Sequence, residues 1–242
     1  MVQDGSHVIR KHKFKINNPE IWIFTKKEIF WILIFIIMGT FISFVPIIPN
    51  NDPEKILINI LIFAIIIIVN LSAKKLISNF YSIKIEHNVW QLQRWYYHRK
   101  SYFKKPVPIG LIMPFFLAIL SLGYLKPFTF FQYNAENIPA KRLLKAHGDR
   151  RAVRKEVINE SDFGYTSSAG FYSLLILALI GFLLKPYFPI FGSDLAKYSI
   201  YFGLWNLIPF SQLDGSKLFF GTPIAWFFLT IIYIIAGLIV FF

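Results

Sequence analysis

Six stretches of this 242-residue chain contain no Asp, Glu, Lys or Arg: residues 29–51, 56–73, 106–125, 163–184, 198–213 and 218–242. A helix needs roughly 20 apolar residues to cross the hydrocarbon core of a bilayer. Five of the windows reach that length, and 198–213 falls just short. A soluble core helix can mimic one such window, but a protein this small has no interior that could bury six of them. The composition agrees, with 55% hydrophobic and only 16% charged residues, where soluble domains carry about 25% charged. The sequence therefore describes an integral membrane protein.

The first window follows the basic run Arg10-Lys11-His12-Lys13-Phe14-Lys15 and superficially has the look of a signal peptide. It starts late, however, and ends in Val45-Pro46-Ile47-Ile48-Pro49 instead of a small-residue cleavage site, so it reads as a retained first span. Cysteine is absent. Disulfides, thiolate metal ligands and a cysteine nucleophile are thereby excluded. The net charge of +13 is explained by the excess of Lys and Arg in cytoplasmic loops, and no nucleic-acid partner is expected.

Counting those cations sets the topology. Residues 1–27 hold six Lys/Arg, the loop 74–105 holds eight, and the segment 126–162 holds another eight. If 106–125 crosses the membrane, the Lys/Arg divide 16 inside against 10 outside. If it enters and leaves on one face, they divide 23 against 3. The positive-inside bias favours the second arrangement, with a cytoplasmic N-terminus. Pro106, Pro108, Gly110, Pro114, Gly123 and Pro127 punctuate the window, and such broken backbone at membrane depth requires packing against protein. The expectation is a re-entrant hairpin 106–125 and spans near 29–48, 56–73, 164–184, 196–210 and 222–242. Residues 1–28 form a basic cytoplasmic segment, and 29–242 form one membrane domain with basic cytoplasmic insertions near 74–105 and 134–162.

At the end of the fifth crossing stands Asn206-Leu207-Ile208-Pro209-Phe210-Ser211-Gln212-Leu213-Asp214-Gly215. It resembles the N-x-x-P-x-x-x-L-D-G motif of site-2 proteases, the zinc intramembrane proteases, with every fixed letter present. Upstream, Ser168-Ala169-Gly170 resembles the family's A-G-P-x-x-N segment, with Phe171 for Pro and Leu174 for Asn. The resemblance covers roughly residues 56–220 and implies an all-α fold: a polytopic membrane helix bundle of about five spans plus a re-entrant hairpin, with a site-2-protease-like core. The family binds zinc through the two histidines of H-E-x-x-H and the aspartate of L-D-G. Histidines at i and i+4 share one helical face, and the Glu serves as general base. The matching stretch here is Asn70-Leu71-Ser72-Ala73-Lys74. Asn70 replaces the first His, Leu71 the Glu and Lys74 the second His. An ammonium at 74 cannot coordinate a dication, and Leu71 cannot accept a proton.

The five histidines, His7, His12, His87, His98 and His147, all fall in the N-terminal tail or the basic loops, and no two are four apart. No catalytic residue, metal site or cofactor is therefore expected. The resemblance implies a catalytically inactive pseudoprotease that binds transmembrane-helix clients in a groove shaped by Asn206, Pro209, Asp214 and Gly215. The alternatives are an active zinc-dependent intramembrane peptidase with an atypical ligand set, for which zinc would be the cofactor, and a lipid-interacting scaffold or small transporter. Asp214 and Lys74, both at cytoplasmic span ends, either pair with each other or stand as solvated loop-edge residues. The aromatic and basic run Trp90–Lys100 reads as an interfacial segment against anionic headgroups, as do Lys141-Arg142, Arg150-Arg151 and Arg154-Lys155. Gly148-Asp149-Arg150 reads as a turn.

Overall fold

A computed structural model describes residues 24–44, 53–81, 83–94, 102–137, 143–145, 152–154 and 158–241. Seven helices dominate: α1 (Lys26–Ser43), α2 (Pro53–Phe80), α3 (Ile109–Leu120), α4 (Glu160–Leu184), α5 (Pro189–Leu207), α6 (Asp214–Gly221) and α7 (Pro223–Phe241). Their ends follow local chemistry. Thr25 and Glu28 form a capping box at the start of α1, and Asn159 and Asp162 form one at the start of α4. Helix α5 begins at Pro189 and stops before Ile208, whose extended backbone (ψ 124°) suits the residue ahead of Pro209.

Consecutive long helices run antiparallel. Asn59 Nδ2 donates to Ser43 Oγ at one end of the α1–α2 pair, and Lys75 Nζ donates to Glu28 at the other. Trp226 Nε1 donates to the Leu207 carbonyl where α7 begins, and farther along α7 the Tyr233 ring fills the space beside Gly203 of α5. Among the described residues, three helical segments are long and apolar enough to cross a membrane: Glu54–Phe80, Glu160–Leu184 and Pro223–Val240. At about 1.5 Å per residue the first two exceed the hydrocarbon thickness of about 30 Å and the third comes close to it. Large side chains such as Leu61, Ile68, Ile176, Leu179, Ile231 and Leu238 face outward on them, and lipid is the solvent in which such faces are stable. Helices α1 and α5 are of similar length but carry Lys26, Lys27 and Glu28, and Asp194 and Lys197.

The fold is not all-α. Six strands form three two-stranded antiparallel sheets, β1 (Ile83–Val89) with β4 (Phe131–Asn137), β2 (Leu92–Arg94) with β3 (Tyr102–Val107), and β5 (Leu143–Lys145) with β6 (Ala152–Arg154). Strand β1 alternates strictly between buried and half-buried residues, the period-2 pattern of a strand with one face on the core. The basic composition of 74–105 hides that alternation. It also hides Trp90, which is buried against Phe130 and Leu213 and donates Nε1–H to Ser211 instead of lying at an interface. Arg154 lies in β6. Residues 95–100, 141–142, 146–151 and 155 lie outside the described residues.

The segment after β3 enters and leaves the bundle at one end. Gly110 and Phe130 are joined where it starts and finishes, Phe130 N–H donating to the Gly110 carbonyl (3.2 Å) and Gly110 N–H to that of Trp90 (2.9 Å). Between them α3 descends, turns at Leu122 (φ 52°) and Gly123 (φ 81°), and returns as extended chain. At the far end Lys126 Nζ donates to the Ser43 carbonyl, beside the C-terminus of α1. The hairpin is thus longer than 106–125. Lys126 belongs to its tip and not to the segment that follows.

Candidate functional site

Two adjacent lysines near the C-terminal end of α2 organise a buried polar centre. Lys74 is 2% exposed and forms an ion pair with Asp214, itself 1% exposed. The sequence left open whether these two meet, and they do. Lys75 points to the other side, donates to Glu28 of α1 (2.7 Å) and lies over the Phe24 ring. Three helices, α1, α2 and α6, are therefore joined by buried charge.

The local fold explains how Asp214 reaches Lys74. Pro209 ends α5, Ser211 adopts φ 52°, and the chain folds back so that α6 starts against the end of α5. A Cβ at Gly215 would overlap the carbonyl groups of Leu207 and Ile208, so only glycine allows this closeness. Asp214 occupies the first turn of α6, where the helix dipole favours a carboxylate.

Asn70 and Lys74 share a face of α2, and both press on Gly170 of α4. Asn70 Nδ2 donates to the Gly170 carbonyl (3.0 Å), and a Cβ at Gly170 would overlap Lys74 Cε and crowd Asn70 Nδ2. Leu71 is fully buried in the apolar core with Phe171 and Leu174. Asn206 is buried and donates to Phe202 O. Pro209 is exposed in the loop after α5 and acts by ending that helix. The structure thus gathers Asn70, Lys74 and Asp214 and leaves Pro209 outside. Both partners of the ion pair are sealed among the described residues. An apolar groove lies between α2 and α4, about 610 Å³ in volume, with Ala73 and Ala169 among its small lining residues and Phe80, Tyr165 and Tyr172 around them.

Sequence reasoning missed Glu28, Lys75, His87, Tyr133 and Lys217. Lys217 Nζ donates to the Tyr133 carbonyl and sits 3.3 Å from the centroid of its ring. Burial lowers Lys217 to about 8, Asp214 opposes that shift, and Lys74 adds to it. Burial and the charge of Asp214 raise the Tyr133 phenol well above its ordinary value. His87, placed by the sequence in a solvated loop, is 1% exposed. Its N–H and Nδ1 both face Glu28 Oε1 (2.9 and 3.2 Å), so the neutral ring carries its proton on Nδ1. Among the described residues no three His, Cys, Asp or Glu side chains converge. Asn70 Oδ1, Asn206 Oδ1, Asp214 Oδ1 and His87 Nε2 are buried without a hydrogen-bond partner among the described residues.

Burial brings His87 down from 6.5 to about 4, against the opposing pull of Glu28. Burial also opposes ionisation of Glu28, but the hydrogen bonds from His87 and Lys75 prevail and hold it at about 2. Both groups bind fewer protons folded than unfolded, so stability falls as pH falls. Glu28 acts only below its free value of 4.5. Of these two groups it is His87 that titrates between pH 6.5 and 4.5, and its full contribution, lost by pH 4, is on the order of 3 kcal/mol. Thermal unfolding in detergent should show this slope, and His87→Gln should flatten it. An unchanged slope in the variant would remove His87 as its origin.

The chain matches no family model, no curated protein and no solved structure.

Proposed function

We propose that this chain is a non-catalytic relative of the site-2 proteases, a multi-pass membrane protein that holds membrane-helix clients without cutting them. One observation carries the reading: Asp214, from the only sequence segment with the full N-x-x-P-x-x-x-L-D-G pattern, meets Lys74, the residue standing where the second zinc-binding histidine would be. An ammonium then occupies the place of the dication and neutralises the same carboxylate. Leu71, in the place of the general base, supplies no proton acceptor. In this reading clients pack in the apolar groove between α2 and α4, whose small residues permit close helix approach. Ala73 and Ala169 directly adjoin Lys74 and Gly170, so a client would lie beside the sealed centre. The purified protein is expected to carry no stoichiometric zinc and to leave a helical membrane substrate uncut. Stoichiometric zinc with chelator-sensitive cleavage would establish the peptidase alternative.

The proposal includes five spans, α1, α2, α4, α5 and α7, a cytoplasmic N-terminus and a re-entrant α3 hairpin. The shared mouth of that hairpin at Gly110 and Phe130 supports it. With Lys126 at the tip, the cations divide 22 inside and 4 outside, which retains the bias. Because the chain has no cysteine, single introduced thiols report unambiguously. Lys104→Cys and Glu136→Cys should both label from the cytoplasmic side, and Tyr124→Cys should not. Labelling of Lys104→Cys and Glu136→Cys from opposite sides would show a true crossing.

A further inference from the structure

The end of the bundle opposite the Lys74–Asp214 pair holds a second built feature. A cavity of about 340 Å³ lies between the hairpin tip and α5, lined by Lys126, Lys197, Tyr124, Tyr198 and Tyr201, with Gly123 at its lip. Its walls are fixed. Ser121 Oγ ties the tip to both backbone groups of Leu125, and Lys126 N–H donates to Tyr201 Oη (3.2 Å). Phe128 packs edge-on against Tyr198 and Tyr201, and Tyr198 stacks on Phe63.

Among the described residues, the charged side chains that line this cavity are Lys126 and Lys197. Lys126 Nζ is anchored to the Ser43 carbonyl (2.8 Å), so its ammonium cannot swing away. Burial, and then the like charge of Lys197, weaken the hold of Lys126 on its proton. Among the described residues no carboxylate lines the cavity, although Asp194, one turn before Lys197, acts on Lys197, Lys55 and the lining residue Tyr198 from outside it. Two ammonium groups held around one cavity repel each other, and an anion between them reverses that energy. Tyrosine hydroxyls add hydrogen-bonding capacity, and lysine is a common point-charge partner of phosphate.

We propose that this cavity binds a phosphate group, presented by an anionic phospholipid of the adjoining leaflet. The surroundings favour a lipid source. Leu120 and Leu122 beside the cavity are 77% and 71% exposed and Tyr124 is 88% exposed, an apolar and aromatic rim suited to the level where headgroups meet acyl chains. Basic pockets between membrane helices recognise headgroups by this chemistry. The inference is independent of the protease resemblance, since it uses none of the residues around Asp214.

The test places the protein in phosphatidylcholine nanodiscs containing phosphatidylglycerol and counts retained lipid by native mass spectrometry. Wild type should retain one phosphatidylglycerol, and Lys197→Met should weaken retention at least tenfold. Lys185→Met, at the same end of the bundle, should retain it like wild type and so control for general surface charge. Lys197 is exposed, so its variant keeps the fold even if Lys126→Met does not. In a second arm, inorganic phosphate that raises the thermal midpoint of wild type but not of Lys197→Met, with no preference for phosphatidylglycerol, would keep the phosphate chemistry and assign a soluble source. Absence of binding by either probe, or equal binding by wild type and Lys197→Met, would overturn the proposal.

Discussion

Changing Lys74 to methionine, or Asp214 to leucine, should each destabilise the protein by about 3–5 kcal/mol, while the double variant loses much less than either single one. The asymmetry follows from burial. With both partners about 2% exposed, each ion has given up its hydration and depends on the other for compensation. Removing Lys74 leaves an isolated carboxylate whose Oδ1 already lacks a partner among the described residues. Removing Asp214 leaves an ammonium wedged against Gly170 and near Lys217, whose proton affinity its charge already reduces. Removing both replaces a desolvated pair by apolar side chains in a site bordered by Leu71 and Phe171, an exchange often close to neutral. The readout is the thermal or denaturant midpoint of the four proteins in one detergent. A double variant whose loss equals the sum of the singles would mean that the two charges do not interact.

Some of this architecture can be read from residue order alone. Charge-free windows identify the apolar helices because lipid admits few unpaired charges, and a density of Pro and Gly between 106 and 127 points to the hairpin because each Pro removes a helix hydrogen bond or disfavours helix before it. The spacing of Asn70 and Lys74 puts them on one face of any helix. Other features depend on tertiary partners. Nothing local to Glu28 announces that it will accept from Lys75 and His87, 47 and 59 residues away. The alternation Ile83, Ile85, His87, Val89 is present in the sequence, but its two isoleucines and valine are interleaved with Lys84, Glu86 and Asn88 in a basic loop, and its partner strand lies beyond the hairpin. His87 is on the buried face of that strand, and only the sheet pairing shows it. The sequence marks Gly170 only through its resemblance to the A-G-P-x-x-N segment. Its role emerges when Asn70 and Lys74 both occupy the space a side chain would need.

If, as proposed, Asn70, Leu71, Lys74 and Asp214 occupy the positions of a lost zinc centre, restoring the ligands should restore metal binding. In the triple variant Asn70→His, Leu71→Glu, Lys74→His, the two histidines would share the α2 face that now contacts Gly170, with Asp214 freed of its ammonium partner. Three protein ligands suffice for a zinc site with an open fourth position. About one zinc ion per chain is expected, measured by elemental analysis after dialysis against a weak chelator, with a higher thermal midpoint on loading. Asp214→Ala in the triple background should release the metal. Cleavage activity need not return, because Phe171 and Leu174 shape the surroundings differently from the family pattern. A folded triple variant that binds no more zinc than the parent, or binds it equally well without Asp214, would contradict the assignment of residues 70–74.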